Sequence, residues 1–391
     1  MAQTIRWGIL ATGLIAEAFA KDLLVDPRTR RVTSIKHSVV AAASSTSDTR
    51  AQEFLTKIGA SSANAYGTYK ELVEDPNVDI IYVATPHSHH YQNAMLCLEA
   101  GKHVLCEKAF TVNAAQACKL VEKARERDVF LMEAVWTRYF PLSIYVREVI
   151  TSGTIGEVTR VFADNSMAHD VEANWPDGKH RMVNPDLAGG ALLDMGIYSL
   201  TWVFQTLYST QSSPKPPRVV SSMRKYKTGV DELTTILLTF PRSTGDAHAV
   251  ATCGFRTASD PDGQGTGGPA VRVQGTKGEI QVFPPAFRPT RTKLVLENGT
   301  VDENIFEYPG PGAGSGWFNG FSTYLHAEGE GHGMFYEADE AAYALVECRK
   351  EGRLQSLQES VVIMEVMDEV RRQNGLRFAD NIETTDWPVY F

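Results

Sequence analysis

Residues 6–24, RWGILATGLIAEAFAKDLL, decide the fold of this 391-residue chain. RWGILAT reads as a strand, and GLIAEAFAKDLL carries apolar residues at helical spacing. Between them Gly8–Ala16 forms the turn from strand to helix. Glycine there lets backbone approach a pyrophosphate at a helix N-terminus, where unpaired N–H groups favour an anion. Ala11 stands where a GxGxxG/A pattern has its first glycine, with Gly13 and Ala16 in the later places. Ala11, Thr12, Gly13, Leu14 and Ile15 are therefore the first expected cofactor contacts. A tight turn without function is the rival reading, and the strand–turn–helix context weighs against it.

Working outward, the first 140 residues alternate short apolar runs with amphipathic stretches. HSVVAAASS, VDIIYVATP, HVLCEKA and VFLMEAVW read as further strands, with helices between them and a short element over residues 69–77. Six strands interleaved with helices predict a parallel sheet of the dinucleotide-binding type. Residues 1–140 are thus expected to be a Rossmann domain. After Pro141 the character changes. Seven strand-like runs between residues 156 and 298 are joined by Gly-, Pro-, Asp- and Ser-rich turns, without a helix between each pair. That pattern predicts an α/β domain over 141–391 built on a large, mostly antiparallel, open-faced sheet. Two helices, from MFYEADEAAYALVECRKEG and SVVIMEVMDEVRRQNG, close the chain.

Composition removes other classes. With 43% hydrophobic and 22% charged residues the chain is globular rather than disordered. No uninterrupted apolar run approaches the ~20 residues of a membrane span. The N-terminus enters a strand within a few residues, leaving no room for a signal peptide. Lys plus Arg total 38 against 47 Asp plus Glu, a net charge of -9 that argues against nucleic acid as partner. Five cysteines without paired spacing point to a reducing cytoplasm rather than to disulfides or zinc.

Three further stretches carry chemistry. The second strand ends AAASSTSDTR, with Ser44, Ser45 and Thr46 where an NAD-binding carboxylate would stand and Arg50 at the next helix start. Hydroxyls and a guanidinium suit a ribose phosphate, which favours NADP over NAD. The alternatives are that Arg50 is a solvated helix residue and that Asp48 offsets its charge. Next, Thr85, Pro86 and His87 end one buried strand, while Glu107 and Lys108 end the following one, at the edge where doubly wound folds bind ligands. Lys108 is expected to point into the cleft, and His87 and His90 to cap or line the cofactor site. The histidine spacing matches no common zinc pattern, so no metal is expected. Finally, AGGALLDMGIYSLTW places Asp194 and Tyr198 four residues apart on one helix face. Gly196 between them is expected to clear space for a ligand. A carboxylate and a phenol facing a cleft can share proton transfer, particularly beside an ammonium. The competing view is an amphipathic helix whose tyrosine is merely buried.

These stretches together (ATGLIA, TPHSHH, EKA and GGALLDMGIY) resemble the glucose-fructose oxidoreductase and inositol dehydrogenase superfamily over nearly the whole chain. Ala109 replaces the proline of its EKP motif. FLMEAVWTRYFP, the stretch HRMVNPDLAGGALLDMGIYSLTW and GHGMFYEADE look like dimeric dihydrodiol dehydrogenases, and still more like NADP-dependent D-xylose 1-dehydrogenases. The resemblance implies Lys108 and Tyr198 as catalytic residues with Asp194 beside them, and Trp136 and Arg138 as substrate contacts, Trp136 lying against the pyranose face. It implies oxidation of the anomeric hydroxyl of an aldopyranose, most readily D-xylose to its lactone, with NADP as cofactor. A trans-dihydrodiol dehydrogenase or dicarbonyl reductase is the first alternative, and a non-catalytic nucleotide-sensing regulator the second. A homodimer through the C-terminal sheet is also expected. ELTTILLTF and HAVATCGF are too apolar for a solvated face, unless SDPDGQGTGGP or the tail WPVYF covers it within one chain.

Overall fold

The computed structural model describes residues 2–319 and 328–389. β1 (Gln3–Leu10), β2 (Ile35–Ala43), β3 (Asn64–Tyr66), β4 (Ile80–Val83), β5 (His103–Glu107) and β6 (Leu131–Ala134) make a wholly parallel sheet. Its order is β3-β2-β1-β4-β5-β6. Helices α1 (Leu14–Leu23), α2 (Asp48–Lys57), α3 (Tyr69–Glu74), α4 (His87–Glu99) and α5 (Ala114–Glu126) connect the strands. β4 and β6 are buried along their whole length, the consequence of helices on both sheet faces. The element at residues 69–77 is α3, opened by a Thr68–Glu71 capping box, and the sixth strand is the three-residue β3 before it. Strand order reverses between β1 and β4, which opens a crevice at their C-terminal ends.

α6 (Pro141–Thr151) leads into an eight-stranded sheet built from β7 (Val158–Ser166), β8 (Arg218–Lys225), β9 (Asp231–Phe240), β10 (Ala247–Gly254), β11 (Val271–Gly275), β12 (Gly278–Val282), β13 (Arg291–Leu296) and β14 (Val301–Ile305). It runs β14-β13-β12-β11-β7-β10-β9-β8, antiparallel except where β7 meets β10. β14 has no counterpart among the seven expected strands. Its sequence, VDENI, does not alternate, because as an outer strand it has little to bury.

One face of this sheet is covered by α8 (Ile197–Val203), flanked by π-helical turns at Leu192–Gly196 and Phe204–Tyr208. The helical stretch Pro185–Tyr208 is long and apolar enough to cross a membrane, yet its most apolar window is 94% buried inside the protein. It is a core helix. A Cβ on Gly196 would come within 3.0 Å of Cys253 Sγ, so the space there lets the helix lie on β10 rather than admitting a ligand.

The chain's last helices reach the parallel layer as well as this sheet. α9 (Phe335–Val346) and α11 (Asp380–Glu383) pack on the parallel layer, and α10 (Leu357–Gln373) bridges the two, with Gln373 Oε1 accepting the Ser221 N–H of β8 at 2.8 Å. Asp22 at the end of α1 accepts the backbone N–H groups of His332, Gly333 and Met334 at 3.0, 2.8 and 2.9 Å. Asp339 of α9 pairs with Arg30 at 2.6 Å and with His37 of β2 at 2.8 Å. Between α4 and the tail, Gln92 donates to Asp386 O and accepts the Val389 N–H.

Candidate active site

The crevice begins where β1 hands the chain to α1. The Ala11 N–H donates to Ala43 O at 3.1 Å, which ties the turn to the end of β2. Ala11 takes a φ of +84°, the left-handed region that glycine adopts more readily. Gly13 caps α1 without a side-chain hydrogen bond, and a Cβ on it would meet nothing within 4 Å. Leu14 is 74% exposed, and Thr12 and Ile15 are half-buried. The first amides of α1 thus lack any side-chain cap beside open space, the arrangement that receives a pyrophosphate.

At the end of β2, Ser45 and Arg50 are exposed. Arg50 makes no ion pair among the described residues, and the Asp48 carboxylate instead accepts the Thr49 N–H at 2.7 Å. Tyr69 of α3 joins them. Burial lifts its phenol above the ordinary range, opposed by Ser45 and by the Arg50 charge beside it. Nothing in the sequence singled out Tyr69, which arrives through the pairing of β3 with β2. Ser44 is a correction: it is buried, and its hydroxyl lies 2.9 Å from Thr46 Oγ1, shaping the turn rather than facing a cofactor. A guanidinium without a protein carboxylate, beside a hydroxyl and a phenol, fits a ribose phosphate.

Thr85 and Pro86 lie where β4 ends, and Thr85 accepts from Asn93 Nδ2 at 3.2 Å. His87 opens α4 with a ring nitrogen 3.1 Å from Ala188 O. Burial, then the neighbouring His90, holds its pKa down to about 3, so the ring is neutral. His90 does not line the cofactor site as expected. It is buried, with its ring nitrogens 2.8 Å from Thr85 O and 2.9 Å from Ala109 O, and so straps the end of β4 to the segment after β5. Glu107 is likewise internal: it accepts the Tyr82 hydroxyl and the Lys108 backbone N–H, and burial pushes its pKa up. Its side chain faces the interior and holds the Lys108 backbone rather than opening to the cleft.

Lys108 follows β5, and the Lys108–Ala109 peptide bond is cis. Its ammonium donates to the Asp194 carbonyl at 2.8 Å and to Asp194 Oδ1 at 2.9 Å. The turn delivering Asp194 depends on Gly190, whose φ of +122° is left-handed and whose Cβ would run into the Asp231 carboxylate. That carboxylate accepts the Leu192 N–H at 2.7 Å, capping the π-helical turn that carries Asp194. π-helical turns recur at functional sites. Arg181, from the segment between α7 (Val171–Asn174) and the glycine turn, donates to the same Oδ1 at 3.0 Å. Burial would raise the Asp194 pKa, but Arg181 and Lys108 hold it well below the usual carboxylate range. Tyr198 lies one turn on, its ring centroid 5.0 Å from Lys108 Nζ. Its hydroxyl accepts the Trp136 indole N–H at 2.7 Å. Burial, then the Glu107 charge, pushes the phenol well above its ordinary range, so it is protonated at neutral pH.

Lys108, Asp194, Tyr198 and Trp136 therefore meet as expected, although Trp136 enters through its N–H rather than as an exposed ring. Arg138 does not meet them. It is fully buried, paired with Glu359 at 3.0 Å and donating from Nε to Leu354 O at 2.7 Å, so it has no reach into the cleft.

Comparison with known proteins gives the family. Residues 5–135 match the oxidoreductase family with an NAD-binding Rossmann fold, and residues 144–281 match the GFO/IDH/MocA C-terminal domain. A D-xylose 1-dehydrogenase (NADP(+)) of Hypocrea jecorina is 52% identical over 97% of this chain and 95% of its own. A trans-1,2-dihydrobenzene-1,2-diol dehydrogenase of Sus scrofa is 36% identical over 96% and 98%. Among solved structures, a 3-ketoreductase from Actinomadura kijaniata in complex with NADP and TDP-benzene has the same fold (TM-score 0.70, 23% identity, 95% and 98% coverage). So does an aldose-aldose oxidoreductase from Caulobacter crescentus complexed with glycerol (TM-score 0.71, 20% identity, 95% and 97% coverage). With both domains matched and close relatives along its whole length, this chain belongs to the GFO/IDH/MocA oxidoreductase family.

Proposed function

We propose that this chain oxidises the anomeric hydroxyl of an aldopyranose, D-xylose foremost, with NADP as hydride acceptor. The observation that carries the reading is the Lys108–Asp194–Tyr198 constellation beside a dinucleotide crevice, in a chain 52% identical to an NADP-dependent D-xylose 1-dehydrogenase. The open N-terminus of α1 would hold the pyrophosphate, and Ser45, Arg50 and Tyr69 would hold the ribose phosphate. NADP, when bound, supplies the electron-accepting ring. The chain's own residues manage the proton and the alignment.

Tyr198 takes the proton from the anomeric hydroxyl. Its phenol is protonated at rest, so oxidation draws on the phenolate, which the Trp136 N–H and the Lys108 ammonium both favour. The sign follows from the raised pKa: oxidation accelerates as pH rises through the alkaline range, while carbonyl reduction, in which the neutral phenol donates, slows. Opposite pH slopes for the two directions are the expected result, and parallel slopes would exclude Tyr198 as the proton carrier. Asp194, ionised, keeps the Lys108 ammonium in place.

A panel of aldopyranoses and trans-cyclohexanediols with NADP, read by absorbance of the reduced cofactor, tests the substrate. D-xylose is expected to give the highest kcat/KM. A diol above every sugar would move the chain to the dihydrodiol reading, and no turnover at all would revive the nucleotide-sensing one.

The reading includes a homodimer through the open face of the second sheet. Val220, Leu233 and Leu237 on β8 and β9 are 63%, 40% and 44% exposed. Val220, Leu237, Val250 and Phe162 lie in register across four strands, an apolar row that a second copy would cover. Residues 386–389 of the tail lie against α4 rather than over this row, residues 390–391 lie outside the described residues, and the loop beginning at Ser259 meets the sheet at Asp164, beyond the end of the row. Light scattering at micromolar concentration is expected to give twice 43.1 kDa, and a single-chain mass would exclude the dimer.

A further inference from the structure

The Asp194 carboxylate is used unevenly. Oδ1 receives both Lys108 Nζ at 2.9 Å and Arg181 Nη1 at 3.0 Å, while Oδ2 accepts no hydrogen bond among the described residues. Arg181 is equally unbalanced. This one bond is its only side-chain hydrogen bond among the described residues, and its side chain is 52% exposed, so most of its five N–H donors stay free. Its backbone is nevertheless fixed. Trp175 and His180 stack with centroids 5.0 Å apart and 7° between planes. The Val183 and Asn184 N–H groups both donate to His180 O at 2.9 Å, and Gly190 donates to Met182 O at 2.9 Å. A Cβ on Gly189 would come within 2.6 Å of Arg181 O. A long, charged side chain on a fixed wall, directed at one oxygen of a buried carboxylate, is a built feature of the cleft.

We propose that Arg181 is a positioning and specificity residue of the reaction: it shares Asp194 Oδ1 with Lys108, leaves Oδ2 to accept a sugar hydroxyl, and directs its remaining donors to the pyranose. The assignment rests on the sugar-dehydrogenase reading above. A polyol suits this pair, because a free carboxylate oxygen beside free guanidinium donors binds neighbouring hydroxyls through acceptor and donor together.

Removing Arg181 has a directional consequence. Burial pushes the Asp194 pKa up, and with Arg181 gone only Lys108 remains as a full positive charge against it. The neutral ring of His87 lies at the start of α4, and Tyr198 and Glu107 face the same carboxyl from α8 and β5. His169 and His180, from the wall itself, are the other titratable neighbours, both held below their usual pKa by burial.

The test is Arg181→Gln and Arg181→Lys in the full-length enzyme, with kcat/KM for D-xylose measured across pH and cofactor binding followed by NADPH fluorescence. The glutamine variant is expected to lose about 10- to 100-fold in kcat/KM, mostly through the sugar KM. Its acid limb moves up, because the lost cation favoured both the ionised Asp194 and the Tyr198 phenolate. The lysine variant restores most of both, cofactor binding and the denaturation midpoint stay unchanged, and His169→Asn or His180→Asn leaves the limb in place. An unshifted limb with an unchanged sugar KM overturns the assignment while the sugar reading stands. So does a glutamine variant whose loss follows its unfolding. Failure of the unmodified enzyme to oxidise any sugar removes both.

Discussion

Arg138 and Arg181 each hold a carboxylate, and the contrast between them separates the groups that build this molecule from those that serve its cleft. Arg138 is fully buried between Glu359, at 3.0 Å, and Leu354 O, at 2.7 Å. Among the described residues Arg181 reaches only Asp194, at 3.0 Å, and it is half open to solvent. An enclosed guanidinium offers nothing to a ligand, however near the site its neighbours in sequence lie. An open one with an incomplete set of partners does. Distance along the chain is a poor guide here: Arg138 follows Trp136, which touches the Tyr198 hydroxyl, yet the two side chains have different work.

The largest expected effect breaks the enclosed pair. Arg138→Met leaves Glu359 buried without its cation, and losing one partner of such a pair costs about 3–5 kcal/mol. Urea denaturation measures it, with kcat/KM of the folded fraction unchanged. Pairing the change with Glu359→Leu is expected to recover most of the loss, because an apolar pair of similar volume carries no unmatched charge. A stable Arg138→Met enzyme with a raised sugar KM would return Arg138 to the cleft and collapse the contrast.

The opposite pattern is expected at Lys108 and Tyr198. Lys108→Met or Tyr198→Phe lowers turnover ~100-fold or more, as loss of a positioned acid–base group does, which is about 2.7 kcal/mol of barrier. The tyrosine variant should keep its denaturation midpoint and still bind NADP, whereas the lysine variant also loses one cation from the buried Asp194 carboxylate and should keep the other in Arg181. Near-normal turnover in Tyr198→Phe would direct attention to His87 or Asp194 as proton acceptor.

The same contrast explains what the sequence disclosed. The strand–turn–helix at residues 6–24, the Gly189–Gly190 turn and the one-face spacing of Asp194 and Tyr198 are local features, readable from period and residue type. Lys108 was readable because a lysine ending a buried strand has few other uses. Arg138 was misread because its partner, Glu359, lies on α10, which returns from the far end of the chain to the first domain. Arg181 and Tyr69 went unnoticed for the complementary reason: a wall of stacked rings and a three-residue edge strand bring them in. His90, Ser44 and Glu107 stand inside motifs, but their polar atoms are taken up by backbone carbonyls, a neighbouring threonine and Tyr82. β14 carries too little apolar pattern to announce itself.

Arg50 sharpens the contrast with a third arginine, exposed like Arg181 and without an ion pair among the described residues. Arg50→Ala is expected to weaken NADP by about 1.5–3 kcal/mol, the range for a charged hydrogen bond, and to leave NAD unchanged. Isothermal titration with both cofactors reads the difference. Equal losses for NADP and NAD would place Arg50 away from the ribose phosphate.

The smallest effect asks whether a backbone feature of the cleft belongs to architecture or to chemistry. Ala11 holds a φ of +84° at the position where the dinucleotide pattern has its first glycine. For an L-residue that conformation costs ~1–2 kcal/mol. Glycine would relieve the cost but bring a more flexible unfolded chain, an opposing ~0.5–1 kcal/mol. The relief is the larger of the two, so Ala11→Gly should stabilise the protein by roughly 0.5–1 kcal/mol. In a protein of this size that is a rise of one to a few degrees in Tm, about 2–4 °C per kcal/mol for domains of 150–250 residues. The hydrogen bond from the Ala11 N–H to Ala43 O survives the change, since it involves only backbone. If the turn is already set by that bond, NADP affinity stays the same while Tm rises, and the strain belongs to the scaffold. A gain in stability with a loss of NADP affinity would mean instead that the alanine methyl holds the turn in its binding shape, which would put Ala11 with Arg181 rather than with Arg138.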